Sequence, residues 1–455
     1  MNRMMLVSLL LFGIIAAGCS SSYRTESEKP EKTPLVNKYS TDIQIADTLD
    51  NQKDTIEVLT LDKAVVIALA NNPELVSYNL EIKALESVAL QQGLSPNPEF
   101  GVEAENILGT NELSGFKAME TTVLLSQDIL LAGKLNKQRR VAALESDIAG
   151  WEYEMKRLDL ITNVRLVFIQ SITLQRDIRL TKELLKISNE FLSNINKRIE
   201  AGKVSPAEAS RAKVIVSALE IRLMNSELSY RSAKQQLRAL LGTDKFTFKE
   251  MGGELKIVAV LPSIELLQEK LSQSPELARY DKVFERQEAM IELEDSKSVP
   301  DLNIAVGWRW LNQTSENGIV VGANAFVLGA SIPLPIYDSN QGALQEAKIR
   351  FDKKKSELRS DKNNLTSDFN TTYNNLISLS EALKKLNDES VPAAQNAFEI
   401  IRDGNLVGRF TILDVLDTQR TLFELQSEYL RTLGNYNIQI VRLERLIGQN
   451  IESIK

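Results

Sequence analysis

The chain has 455 residues, with 54 Lys and Arg against 61 Asp and Glu, no histidine and one cysteine. A net charge of −7 disfavours a nucleic-acid binder, whose footprint would be a basic surface. Without histidine, the usual zinc sites and imidazole acid/base chemistry are closed, so no enzyme activity, cofactor or metal centre is expected.

Arg3 precedes a weakly polar to apolar run from Met4 to Ala17, followed by Gly18, Cys19 and three serines. That run is about 14 residues, short of the roughly 20 that a spanning helix requires, and reads as an export signal over 1–18. Ala16-Ala17-Gly18-Cys19 is similar to a bacterial lipobox, which implies cleavage before Cys19 and lipid on its thiol. The mature chain would then hold no free thiol, as suits an envelope compartment. No later stretch is apolar for long enough to span as a helix, so any further crossing must be by strands.

Residues 19–56, polar with Pro30 and Pro34, read as a tether. Thr60 then caps an apolar-periodic helix, and a second helix runs from about Pro73 to Gly93, stopped by Pro96 and Pro98. Between Pro98 and Gly133 the period changes to two, giving strands around Phe100–Ala104 and Met119–Leu131. From Gly133 to Ala201 there is no proline and one internal glycine, which predicts a helix on the order of 100 Å long. Gly202 to Pro206 forms a turn, and Ala209, Val216, Leu223, Tyr230 and Leu237 mark a heptad seam on the returning helix.

The whole order then repeats. Asn72-Pro73-Glu74-Leu75 returns as Ser274-Pro275-Glu276-Leu277, and Pro98 returns as Pro300. Gly202-Lys203-Val204-Ser205 returns as Gly408-Arg409-Phe410-Thr411, and Leu241-Gly242 as Ile447-Gly448. In the second copy Leu302, Ile304, Val306, Trp308 and Trp310 share one strand face, and a second strand covers about Ile319–Ile332. A long helix over Asn340–Asp403 is expected to kink at Pro392, and a turn over Gly404–Thr411 leads to a seam of Val415, Leu422, Tyr429, Tyr436 and Leu443. The resulting organisation is a first repeat at 57–242, a linker at 243–262, a second repeat at 263–448 and a tail at 449–455.

Two strands per copy give four per chain, too few to close a membrane barrel. Chains must pool them: a dimer gives eight strands and a trimer twelve, and only the wider barrel leaves a water-filled lumen. The repeated Asn-Pro-Glu-Leu element, the strand pairs, and the Gly202–Glu208 and Gly408–Asp417 segments in this order resemble the TolC-like outer-membrane efflux family. The Ile332–Gly342 run is similar to its heavy-metal cation branch.

That resemblance implies a mixed α and β membrane protein. Its expected form is a homotrimer with a twelve-stranded transmembrane β-barrel, continued by a long periplasmic α-helical barrel. It implies a passive, gated outer-membrane conduit of a Gram-negative bacterium, working with a periplasmic adaptor and an inner-membrane RND-type pump. It places adaptor contacts at Gly202, Val204, Ser205, Gly408, Phe410 and Thr411. It places a gate at Asp414 and Asp417, with Glu208 and Arg211 at the matching positions as an ion-pair set. Trp308 and Trp310 would belong to the barrel's membrane face. Two other readings stay open on the sequence alone: a lipid-anchored periplasmic adaptor, and a structural coiled-coil lipoprotein.

Overall fold

A computed structural model describes residues 55–243, 247–258, 261–314 and 320–454. The signal peptide, Cys19 and the tether up to residue 54 lie outside the described residues. The elements run β1 Thr55–Thr60, α1 Leu61–Asn71, α2 Pro73–Gln92, β2 Glu99–Glu105, β3 Glu120–Ile129, α3 Lys134–Glu200 and α4 Pro206–Leu241. After β4 Thr247–Gly252 come α5 Ile264–Ser272, α6 Pro275–Ser296, β5 Leu302–Thr314, β6 Val320–Ser331, α7 Gln341–Lys385, α8 Val391–Leu406 and α9 Ile412–Ile447.

The two strand pairs join into one antiparallel sheet in the order β2-β3-β5-β6, so β2 and β6 each have a neighbour on one side only. Register fixes its two faces. Trp308 stands between Val123 and Phe326, and Val306 between Leu125 and Leu328, forming an apolar face. On the other face Arg309 donates to Thr122 Oγ1 (2.8 Å) and Glu120 Oε2 (3.2 Å) and pairs with Glu105 (3.7 Å). An apolar row backed by a charged row is the alternation of a sheet with lipid on one side and water on the other.

The sheet is tied to the helices at a corner shared by both repeats. Gly133, at φ 68°, turns the chain from β3 into α3, and buried Lys134 pairs with Asp301 at 2.7 Å while donating to the Val299 carbonyl. The Leu131 N–H donates to the same Asp301 carboxylate at 3.0 Å. Burial opposes ionisation of Asp301, but these two donors outweigh it and hold the carboxyl below its ordinary value.

Below the sheet, α3 runs for 67 residues, about 100 Å at helical rise. It is flanked by α2 and α6 near the sheet and by α4 and α9 further down. In the second repeat the long helix is jointed: a π-helical turn at Leu386–Ser390 separates α7 from α8. The π-helical turn lies just ahead of Pro392, which cannot donate to the preceding turn and so interrupts the helical ladder there. α8 extends to Leu406, so the turn before α9 is shorter than the expected Gly404–Thr411.

Two strands were not foreseen. β1 and β4 pair in parallel, from Thr55↔Thr247 to Thr60↔Gly252. The tether therefore ends at residue 54, and the 243–262 linker supplies structure. Helix side chains hold this small sheet: Gln175 accepts from Met251 N (2.9 Å) and donates to its carbonyl (3.1 Å), while Lys234 donates to the Phe248 carbonyl at 2.9 Å. Such short strands, far apart in the chain, do not announce themselves locally.

The duplication seen in sequence is a duplication of packing. Gly242 ends α4 at φ 69° and lies against Asn71 and Asn72, where an added Cβ would stand 2.5 Å from the Asn71 oxygen. Gly448 ends α9 at φ 68° and lies against Pro275, 2.9 Å from the ring by the same measure. Backbone cannot yield as a ring edge can. Gly242→Ala is expected to destabilise by roughly 2–4 kcal/mol and Gly448→Ala by less, from left-handed strain plus overpacking. Thermal unfolding of the detergent-solubilised protein checks the ranking, and equal losses would contradict it.

Candidate functional site

The far ends of the helices bring together most of the residues singled out from sequence. Both hairpin turns are built alike. Lys203 N donates to Arg198 O (2.9 Å) and Gly202 N to Ile199 O (2.8 Å), while Arg409 N donates to Gly404 O (2.8 Å) and Gly408 N to Asn405 O (3.1 Å). These are Schellman closures, and they require the left-handed residue that Gly202 (φ 70°) and Gly408 (φ 81°) provide. A Cβ at either position would meet nothing within 4 Å, so backbone angle rather than space selects glycine.

The two turns are packed against each other. Ile195, Ala212, Ile412 and Leu416 form a small buried cluster, with Val204 partly buried on it. Val204 is therefore a tip core residue, whereas Gly202, Ser205, Gly408, Phe410 and Thr411 are exposed. The Phe410 ring covers Gly404, whose Cβ would otherwise stand 2.4 Å from it. Ser205 caps α4 through Ala207 N at 3.3 Å.

Asp414 and Asp417 lie on the first turns of α9, with different surroundings. Asp414 Oδ2 accepts from Thr411 N (2.8 Å) and Thr411 Oγ1 (2.7 Å), and Thr411 Oγ1 in turn accepts from Asp414 N (3.2 Å). This capping box satisfies two donors at the helix start. The Thr411 hydroxyl and its backbone N–H hold the Asp414 carboxyl below its ordinary value of 3.8. Asp417 is exposed and pairs with Arg420 at 2.8 Å, which also approaches Glu424 at 3.9 Å. In the first repeat Glu208 and Arg211 pair with each other at 3.4 Å. Each acidic set thus has a local partner within its own helix, and Glu208 and Arg211 do not reach the Asp414 and Asp417 pair.

Contacts between the repeats come from residues that the motifs did not reveal. Arg198 Nη1 donates to Asn405 Oδ1 at 3.4 Å, and buried Asn405 donates to the Phe410 carbonyl at 2.8 Å. Higher up, Gln419 Nε2 donates to Ser188 Oγ at 3.0 Å with both residues buried. The guanidinium of Arg222 stacks over Phe423 at 4.6 Å while pairing with Asp177 at 2.9 Å. The available signal was a polar residue at an apolar seam position, Gln419 among Ile412, Leu416, Leu422 and Phe423.

The outer membrane efflux protein family profile matches residues 64–243 and 266–449, one match per repeat. The cobalt-zinc-cadmium resistance protein CzcC of Cupriavidus metallidurans is 30% identical over 391 residues, covering 86% of this chain and 90% of its own. The pyoverdine export outer membrane protein OpmQ of Pseudomonas putida is 22% identical, covering 82% of each chain. A crystal structure of a membrane protein from Pseudomonas aeruginosa superimposes with a TM-score of 0.73 at 17% identity, over 89% of this chain and 93% of that one, which shows a shared fold. Among the described residues no helix is long and apolar enough to cross a membrane. Two matched repeats, the sheet between them and the long helices beneath it lead to one conclusion: the chain belongs to the outer membrane efflux protein family, the TolC-like channels of tripartite pumps.

Proposed function

We propose that three copies of this chain close a twelve-stranded transmembrane barrel, continued into the periplasm by a helical cylinder, and act as a passive gated conduit. The observation that carries this reading is the sheet itself. Its β2 and β6 edges are unpaired, its one face is apolar and its other face is charged. Unpaired edges are not tolerated in lipid, and joining β6 of one copy to β2 of the next satisfies both. Faces on α4 with Val214, Ile221 and Leu228 exposed at heptad spacing support further helix contacts between copies.

In this reading Cys19 carries lipid in the outer membrane, while the barrel is the main anchor. The tip turns with Gly202, Val204, Ser205, Gly408, Phe410 and Thr411 meet a periplasmic adaptor, and an inner-membrane RND-type pump supplies the energy. Asp414 and Asp417 recur three times around a narrow opening, which favours cations over anions. Divalent transition-metal cations are the proposed cargo, supported by the 30% identity to a protein named for cobalt, zinc and cadmium resistance.

Planar-bilayer conductance of the purified protein tests the gate. Asp417→Asn, alone and with Asp414→Asn, is expected to raise single-channel conductance several-fold; unchanged conductance in both variants would remove these residues from the gate.

The capping box adds a pH dependence. Asp414 has a depressed folded-state pKa, so its stabilisation is present above the ordinary value of 3.8 and is lost as pH falls through the lower folded value. Hydrogen exchange at the α9 start should stay slow down to about pH 4 and quicken only in stronger acid. Asp414→Asn removes the titrating carboxyl and should abolish that step, and a step that persists in it would refute the assignment.

A third experiment separates lipid from barrel. Cys19→Ala should lose lipidation yet stay trimeric and membrane-bound; release into the soluble fraction would count against the barrel as anchor.

A further inference from the structure

The two repeats leave the sheet differently. In the first, residues 130–133 turn at once into α3. In the second, residues 332–340 carry Ile332-Pro333-Leu334-Pro335-Ile336-Tyr337 before α7 begins. Pro333 and Pro335 have no N–H, so this segment cannot extend β6 as a paired strand.

Yet the segment is built rather than slack. Ile336 N donates to Leu334 O at 2.9 Å, a three-residue turn, and Gln341 Nε2 donates to the Tyr337 carbonyl at 3.2 Å. Asn340 N donates to Asp338 Oδ1 and Ser339 N to Gln341 Oε1, each at 2.9 Å. Asn340 Nδ2 fixes the base to the carbonyl and carboxylate of Glu294, both at 2.8 Å. With its polar groups so occupied, the segment presents Leu334 and Ile336 at 73% exposure and Tyr337 at 93%. Among the described residues nothing covers this knob.

At the opposite edge of the sheet is a groove of about 490 Å³, lined by glutamine amides, Ser95 and Asn97 together with Leu94, Pro96, Leu130 and Leu135. Its wall is held in place by Gln127, which donates to the Pro96 carbonyl at 2.8 Å. Exposed Leu90 and Leu94 add apolar surface beside it along α2.

The strand directions put knob and groove at the same end of the sheet. β2 begins where α2 ends, and β6, antiparallel through β3 and β5, finishes at that same helical end. When β6 of one copy pairs with β2 of the next, the knob after β6 and the groove before β2 fall side by side. We infer that Leu334, Ile336 and Tyr337 of one copy seat in the Leu94–Leu135 groove of its neighbour, clasping the ring at the junction of barrel and helices. The groove's glutamine amides suit the Tyr337 hydroxyl, while Leu94, Pro96 and Leu130 receive the aliphatic groups. The contact is heterologous, one half on each side of every protomer, and so recurs around a closed ring. The inference rests on the closed-ring reading above and adds a contact that strand pairing does not require.

Cysteine cross-linking in the full-length, membrane-inserted protein tests it. Leu94→Cys combined with Ile336→Cys, oxidised with copper phenanthroline, is expected to give covalent trimer on non-reducing gels, and each single variant none. Native mass spectrometry of the unoxidised double variant reports the ring independently. A native trimer without the covalent band overturns the clasp and leaves the ring standing, whereas monomer overturns both. An environment-sensitive dye at Tyr337→Cys, quenched by bromine-labelled phosphatidylcholine chains, would place the knob in lipid and also overturn the clasp. As a second measurement, Ile336→Asp should lower the temperature at which the native trimer dissociates, and an unchanged temperature counts against the contact.

Discussion

A backbone amide in lipid has no water to bond, and this requirement governs the rest of the architecture. Four antiparallel strands satisfy their interior amides through three ladders but leave two edges open. Among the described residues neither edge is capped. In the proposed ring identical neighbours supply what is missing, with the apolar face outward, the charged face inward and the helices descending together from one end of the sheet. The corner where Lys134 meets Asp301 and Val299 holds the first repeat's α3 to the second repeat's β5, so the sheet and the helices below it share one frame.

Duplication explains why one set of physical solutions appears twice with small departures. Each repeat closes its distal turn with a glycine in the left-handed region and ends its return helix with another that fits under the start of the membrane-proximal helix. The departures are where the repeats take different work. Thr411 and Asp414 form a reciprocal cap, whereas Ser205 caps with a single bond and Glu208 pairs with Arg211. Asn72 caps α2 and also bonds the Leu240 carbonyl, and no such bond is made by its counterpart Ser274.

Much of this was readable from residue order. Long proline-free stretches, period-two runs ending in Trp308 and Trp310, and repeated Gly and Pro punctuation gave the helices, the strands and the turns. What stayed hidden had physical reasons. β1 and β4 are six residues each and pair with each other across more than 180 residues of chain, so neither announced itself locally. The reciprocal cap of Thr411 and Asp414 stayed hidden because composition cannot distinguish a free carboxylate from one engaged in a cap. The Gln419–Ser188 and Arg198–Asn405 bonds span residues far apart in the chain, and only the packed hairpins bring them together.

The π-helical turn ahead of Pro392 gives the two halves of the chain unequal mechanics. α3 is an unbroken strut from the sheet to the tip, while its counterpart is a strut with an elbow about two thirds of the way down. A push delivered at the distal end would be borne stiffly by the first repeat and bent by the second. The limb that leads into the turn before Asp414 and Asp417 is therefore the one whose hydrogen-bond ladder is interrupted.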